Sequence, residues 1–304
     1  MKILVIFTGG TIGSRLNDGY ISPDAASNRE IINNYVDKYG RMVEFSQLEP
    51  TTILSENSNC NFIMTVAKCV RDNYEGYQGI IITHGSDTIQ YTAAALWYTC
   101  NQFKIPVMLV CSNYILSDNR ANGNENFAMA VDYIVNKRTP GVYVPYANEP
   151  GRVDVHRGDL LMPHNMYSHK LYSLEDHVQG TYVNGTYYES NNTEVTPETF
   201  PIVDNNREES GVLWINSYPG QNYSYSLPEY KAVLITTYHS GTICTASKSL
   251  ISFIKKAGQN NIPVYIIGNE SAIDYESCRL YDSLGINVLP KMSPIAAYIM
   301  LWLK

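Results

Sequence analysis

Two glycine- and hydroxyl-rich stretches hold the residues of this sequence best suited to chemistry, and each follows an apolar run of strand length. Thr8-Gly9-Gly10-Thr11-Ile12-Gly13-Ser14 follows Lys2-Ile3-Leu4-Val5-Ile6-Phe7, and Thr83-His84-Gly85-Ser86-Asp87-Thr88 follows Gly79-Ile80-Ile81-Ile82. A threonine or serine hydroxyl is a weak nucleophile until a base or a proton path activates it. Gly9 and Gly10 let the backbone approach a ligand closely and expose amide donors of the kind that stabilise an oxyanion. By itself the Thr-Gly-Gly-Thr turn reads more readily as an ordinary strand-to-loop turn, and a phosphate loop is disfavoured because neither GxGxxG nor GxxxxGK[ST] is present. Ser86, Asp87 and Thr88 are good helix N-caps as well as candidates for chemistry, and a helix opening there favours a bound anion. His84 reads more naturally as a hydrogen-bonded structural histidine than as a base.

The elements that must position these residues follow a repeating order. Strand 2–7 precedes a helix near 24–37, which opens at Ser22-Pro23-Asp24. A helix near 59–74 carries Phe62, Ile63, Val66, Ala67 and Val70 on one face. Strand 79–82, helix 88–100, strand 107–110, helix 124–136 and strand 141–144 continue the alternation. This order predicts an α/β fold with a parallel, doubly wound sheet, in which ligands bind beyond the carboxyl ends of the strands. Residues 187–210 are polar and without period, and read as a linker. A second alternating block has strands at 211–215, 232–235 and 264–267, with helices at 245–257 and 294–303. The expectation is two Rossmann-like domains, a larger one over 1–186 carrying the active site and a smaller one over 211–304, joined by the linker 187–210.

Composition narrows the class. The chain has 304 residues, 44% hydrophobic and 17% charged, which is a folded composition long enough for two cores. The net charge of −7 and the absence of a basic cluster argue against nucleic acid as a partner. No stretch reaches the length of a membrane span and no signal segment is visible, so a cytoplasmic location without membrane partners is expected. The six cysteines and six histidines are dispersed without ligand spacing, so no metal site is expected.

The motifs resemble those of the bacterial-type L-asparaginase family, most closely its cytosolic type I branch. Thr8–Gly13 matches TGGTIG, and His84–Thr88 matches HGTDT with Ser86 in place of the first threonine. Asn17-Asp18-Gly19-Tyr20, Leu54-Ser55-Glu56-Asn57, Leu116-Ser117-Asp118-Asn119-Arg120 with Gly123 and Asn126, Tyr218-Pro219-Gly220 and Lys291–Ala297 resemble further family segments in the same order. The resemblance implies Thr11 as nucleophile, Tyr20 on a closing loop, Ser86 as the second catalytic hydroxyl and Asp87 as the partner of the substrate's amino group. It further implies Ser55 and Glu56 as holders of the α-carboxylate and α-amino groups, and amides near Gly10, Thr11 and Ser86 as oxyanion donors, with Gly10 and Gly85 at the substrate. A homo-oligomer, either a dimer or a dimer of dimers, is implied as well, with Tyr238–Thr242 as the segment that one copy lends to another. The resemblance implies no organic cofactor.

One departure bears on activity. The family has a lysine at the end of an Arg-Gly-x-x-x-x-Lys stretch. Here Arg157-Gly158-Asp159-Leu160-Leu161-Met162 ends in Pro163, which has neither a titratable group nor an amide donor. Lys170 and His164 are the nearby candidates for a replacement base, His164 on condition that it reaches Ser86. The expected activity is hydrolysis of L-asparagine, or of a related amide such as L-glutamine, through a covalent acyl-enzyme on Thr11. The alternative is a protein of the same fold that binds a small amino acid and has lost turnover.

Overall fold

Lys2–Phe7 forms strand β1, buried from Ile3 onward, as a parallel strand covered on both faces should be. The computed structural model to which it belongs describes residues 1–191, 198–202, 208–268 and 275–304. After β1 the chain makes a small antiparallel ribbon, β2 (Ser14–Asn17) and β3 (Tyr20–Pro23). Asp18 and Gly19 turn it with φ of 51° and 85°, the left-handed pair that a tight hairpin requires. Helix α1 (Ala25–Tyr39) is capped by Asp24, whose carboxylate accepts from the Ala26 amide at 2.7 Å. Strand β4 (Glu44–Leu48) and helix α2 (Cys60–Asn73) follow. The Asn59 side chain caps α2 through the Phe62 amide, and the stripe Phe62, Ile63, Val66, Ala67 and Val70 is buried as its spacing predicts.

Strand β5 (Gly79–Thr83) is buried throughout. A 3₁₀ turn over Ser86–Thr88 leads into α3 (Ile89–Cys100), and β6 (Pro106–Val110), α4 (Gly123–Val135) and β7 (Gly141–Glu149) continue the alternation. The pattern then changes. Strands β8 (Arg152–Arg157), β9 (Gly180–Val183) and β10 (Thr186–Glu189) extend the sheet as antiparallel neighbours. The eight-stranded sheet runs β10-β9-β8-β7-β6-β5-β1-β4 and is parallel from β7 to β4.

Residues 187–189 are therefore a strand and not linker. Tyr187 lies opposite Tyr182, its ring 5.7 Å from that of Tyr133 and 4.9 Å from that of Tyr182, with the Arg138 guanidinium 3.9 Å above it. An edge strand needs only one covered face, which is why its polar sequence hid it. Residues 192–197 and 203–207 of the expected linker lie outside the described residues.

The described chain divides into two units at Glu208/Glu209. The second contains β11 (Val212–Asn216), β12 (Ala232–Thr236), α5 (Lys248–Gln259), β13 (Val264–Ile267), α6 (Leu280–Leu284), β14 (Ile286–Leu289) and α7 (Pro294–Leu303). Its strands are all parallel, in the order β11-β12-β13-β14. Helix α5 starts later than its periodicity suggests because Ser247 caps it, accepting from the Leu250 amide. Ser293 caps α7 with Pro294 in its first turn, where a missing N–H costs nothing. No helix among the described residues is long and apolar enough to cross a membrane.

Candidate active site

The strand order of the large sheet reverses at β1. The chain leaves β1 for β4 on one side and returns to β5 on the other, so a crevice opens between the carboxyl ends of β1 and β5. The Thr8–Gly13 loop leaves β1 there, and the His84–Thr88 loop leaves β5 beside it.

The two loops touch through glycine backbones. A Cβ placed on Gly10 would lie 2.3 Å from both the Cα and the amide nitrogen of Gly85, so a side chain there is sterically excluded. Gly10 also has φ of 74°, a region that a side chain disfavours. A Cβ on Gly85 would meet the Ser55 hydroxyl oxygen at 2.3 Å, which brings the third stretch, Leu54–Asn57, into the same cluster. Hydrogen bonds fix this arrangement. The Gly10 amide donates to Ile53 O at 2.9 Å, and the Ile53 amide donates to Thr8 O at 3.1 Å. The Thr8 hydroxyl donates to Thr83 O at 2.7 Å, bridging the ends of β1 and β5. The Thr88 hydroxyl lies 2.9 Å from both Ser55 O and the Ser58 hydroxyl, tying the turn at Ser86–Thr88 to the one at Ser55–Asn57. Gly10 O accepts from the Gly13 amide at 3.0 Å and from the Ser14 hydroxyl at 2.7 Å.

Gly10 therefore has both backbone groups engaged, and the expectation that its own amide holds an oxyanion is corrected. Its contribution is the close approach of the two loops that carry Thr11 and Ser86. Thr11 and Ser86 are each partly accessible, and Ser55 is buried. Asp87 and Glu56 are exposed, which suits carboxylates that await a cationic partner. Tyr20 is the outlier, 79% exposed at the start of β3, where the ribbon presents it to solvent and does not bury it against Thr11.

His84 is structural. Burial holds its pKa down at about 4, so the ring is neutral. Gly85 O, 2.8 Å from Nδ1, can only accept, so Nδ1 carries the proton and the Thr92 hydroxyl donates to Nε2 at 2.8 Å. The ring thereby joins the loop to α3 and has no lone pair left for catalysis.

The stretch ending at Pro163 does return to this crevice. Pro163 is exposed, and the ring of the next residue, His164, lies with Nε2 3.0 Å from Ser86 O and Nδ1 3.2 Å from Lys170 O. His164 thus reaches the carbonyl of Ser86. Lys170 is exposed and meets this region through its main chain. Tyr238–Thr242, in the second unit, is a closed turn in which the Tyr238 amide donates to Thr242 O at 2.8 Å.

Two participants escaped the reading of motifs. Ile53 clamps the first loop through its main chain, and no motif or periodicity in the sequence marks it. Thr88 was legible as a cap, but its partners Ser55 and Ser58 lie about 30 residues away in sequence.

Comparison with known proteins places the chain in a family. The family model described as Asparaginase, N-terminal, matches residues 2–166. One component of the glutamyl-tRNA(Gln) amidotransferase of Metallosphaera sedula is 33% identical over 142 residues, 46% of this chain and 31% of that protein. An L-asparaginase of Thermococcus kodakarensis is 30% identical over 153 residues, 49% of this chain and 45% of that protein. The alignments thus span less than half the length of either relative. The solved thermostable L-asparaginase from Thermococcus kodakarensis matches 99% of this chain and 92% of its own with a TM-score of 0.81 at 20% identity, a likeness of fold.

Proposed function

The chain belongs to the asparaginase family, and from that premise we propose that it hydrolyses L-asparagine to aspartate and ammonia with Thr11 as nucleophile. The observation that carries the proposal is the packing of Gly10 against Gly85 at the carboxyl ends of β1 and β5, which supports a common site for the residues that follow them. In this reading the Thr11 Oγ attacks the side-chain amide carbon, and its proton passes to the departing nitrogen by way of the Ser86 hydroxyl. The carbon–nitrogen bond breaks, ammonia leaves, and a β-aspartyl ester remains on Thr11. Water then adds to the ester carbon, a proton returns to the Thr11 oxygen, and aspartate is released. The amides of Thr11 and Ser86 face the oxyanion in both steps. Asp87 and Glu56 receive the substrate ammonium, Ser55 its carboxylate, and Tyr20 closes over the site as its ribbon moves. The enzyme works as a homo-oligomer, a dimer or a dimer of dimers, in which the Tyr238–Thr242 turn of one copy completes the site of another.

A coupled assay of ammonia release from L-asparagine and L-glutamine tests this. Asparagine is expected to be turned over. Glutamine, one methylene longer, is expected to be disfavoured by roughly 10–200-fold in kcat/KM. Absence of ammonia at high enzyme concentration contradicts the proposal.

Pro163 and the orientation of His164 support a second reading, an amino-acid-binding protein without turnover. Where the family lysine stands there is no titratable group, and both His164 nitrogens face carbonyl oxygens. Calorimetric binding of L-asparagine without ammonia release distinguishes this reading from the first.

A further inference from the structure

We propose that His164 is a positioning residue of this site, holding the Ser86–Asp87 peptide in one orientation by donating from Nε2 to the Ser86 carbonyl; this rests on Ser86 and Asp87 belonging to the site described above. The ring bridges two carbonyl oxygens, Ser86 O at 3.0 Å and Lys170 O at 3.2 Å. A carbonyl oxygen only accepts and a neutral imidazole carries a single N–H, so the tautomer that serves Ser86 has its proton on Nε2, with Nδ1 facing Lys170 O. Neither nitrogen presents a lone pair to the Ser86 hydroxyl, and the ring acts here as a donor and not as a base.

Planarity extends the effect of that one contact. The peptide unit is flat and trans, so fixing the direction of Ser86 O also fixes the opposed Asp87 N–H and the two flanking Cα atoms. The Ser86 hydroxyl and the Asp87 carboxyl project from those atoms. One hydrogen bond to the main chain therefore steadies the peptide from whose two ends the side chains assigned to the second half of the site project.

The mount of His164 is itself anchored. Pro163 fixes its own φ and biases Met162 toward an extended conformation, which stiffens the approach to His164. The Met162 amide donates to Tyr172 O at 2.9 Å, closing the stem of the loop. Asn148 of β7 exchanges two hydrogen bonds with the Leu171 main chain, at 2.8 and 2.9 Å. The Tyr146 hydroxyl, also on β7, donates to His169 O. Contacts thus run from β7 through Lys170 and His164 to Ser86. Pro163, where the resemblance expects a lysine, thus supplies a rigid support for a main-chain contact made by the next residue.

The test compares His164→Leu, which fills the space without a donor, with His164→Gln, which keeps an N–H and has nothing to titrate. Both are made in the full chain, and circular dichroism establishes that they fold. Tyr146→Phe, which leaves His164 in place and frees His169 O, is the second route. His164→Leu is expected to lower kcat/KM for asparagine by about 10–100-fold. His164→Gln is expected to recover most of that loss with a pH–rate profile of unchanged shape, and Tyr146→Phe to show a smaller loss. If His164→Gln is as slow as His164→Leu and its acid limb disappears, His164 is a base and the proposal is overturned. Wild-type kcat/KM in His164→Leu overturns it equally. If the wild-type protein releases no ammonia, the assignment of activity fails on its own. The proposal is then decided by L-aspartate binding and by hydrogen exchange over residues 84–89. His164→Leu must weaken binding and speed exchange, with His164→Gln restoring both, and no difference among the three proteins overturns it.

Discussion

Thr11 is the residue on which the proposed reaction turns, and it stands one loop beyond β1, at the carboxyl end of a parallel strand. Replacing it by alanine should lower kcat for ammonia release by at least about 10³-fold, because a nucleophile acts as a unit with its proton path. Calorimetry of L-aspartate should still show binding, since the groups assigned to the ligand's ammonium and carboxylate remain. Ser86 is a sharper case, because its methyl-bearing homologue is the residue that the family motif has. Ser86→Thr keeps the hydroxyl and should retain activity, whereas Ser86→Ala removes it and should cost roughly 10²–10⁴-fold in kcat. Equal activity in Ser86→Ala and wild type would remove Ser86 from the proton path.

At the scale of elements, the site depends on three loops meeting at glycines that leave no room for a side chain of their own. Gly10→Ala would force a Cβ to within 2.3 Å of the Gly85 main chain at a φ of 74°, and backbone on both sides leaves little room to yield. The strain and overpacking together are on the order of 2–5 kcal/mol, a large share of the roughly 5–15 kcal/mol that holds a domain folded. Gly85→Ala meets a side chain instead, the Ser55 hydroxyl at 2.3 Å. Chemical denaturation should therefore show Gly85→Ala as destabilised and Gly85→Ala/Ser55→Gly as partly restored. If the double variant is no more stable than Gly85→Ala, the contact is not the source of the strain. Much of this architecture was legible in advance. Buried strands such as β5 read as continuous apolar runs, and the helical stripe of α2 is unambiguous in period. What escaped was non-local or edge-placed. β4 is a half-exposed edge strand, β8–β10 add antiparallel neighbours where alternation predicted none, and the polar β10 passed for linker. That Pro163 stands where the resemblance expects a lysine was visible in the sequence. That His164 meets Ser86, 78 residues away, was not, because no local pattern encodes such a pairing.

The whole molecule should be acid-sensitive because of two enclosed imidazoles. His84 and His156 are buried and neutral, each held down to about 4 from an ordinary 6.5. Between those values the unfolded chain binds protons that the folded chain does not, so stability falls as pH drops from 6.5 toward 4 and these two sites add nothing above that window. Each contributes on the order of 1 kcal/mol per pH unit. The urea midpoint should decline across that window, and less steeply in His156→Gln; a slope unaltered by that change would show that His156 titrates alike in both states. The same crevice must also hold a covalent intermediate if Thr11 is the nucleophile. Acid-quenched mixtures of the protein and L-asparagine, read by intact mass and peptide mapping, are predicted to carry an aspartyl ester on the peptide containing Thr11, absent in Thr11→Ala. An adduct on any other residue, or undiminished ammonia release by Thr11→Ala, would contradict it.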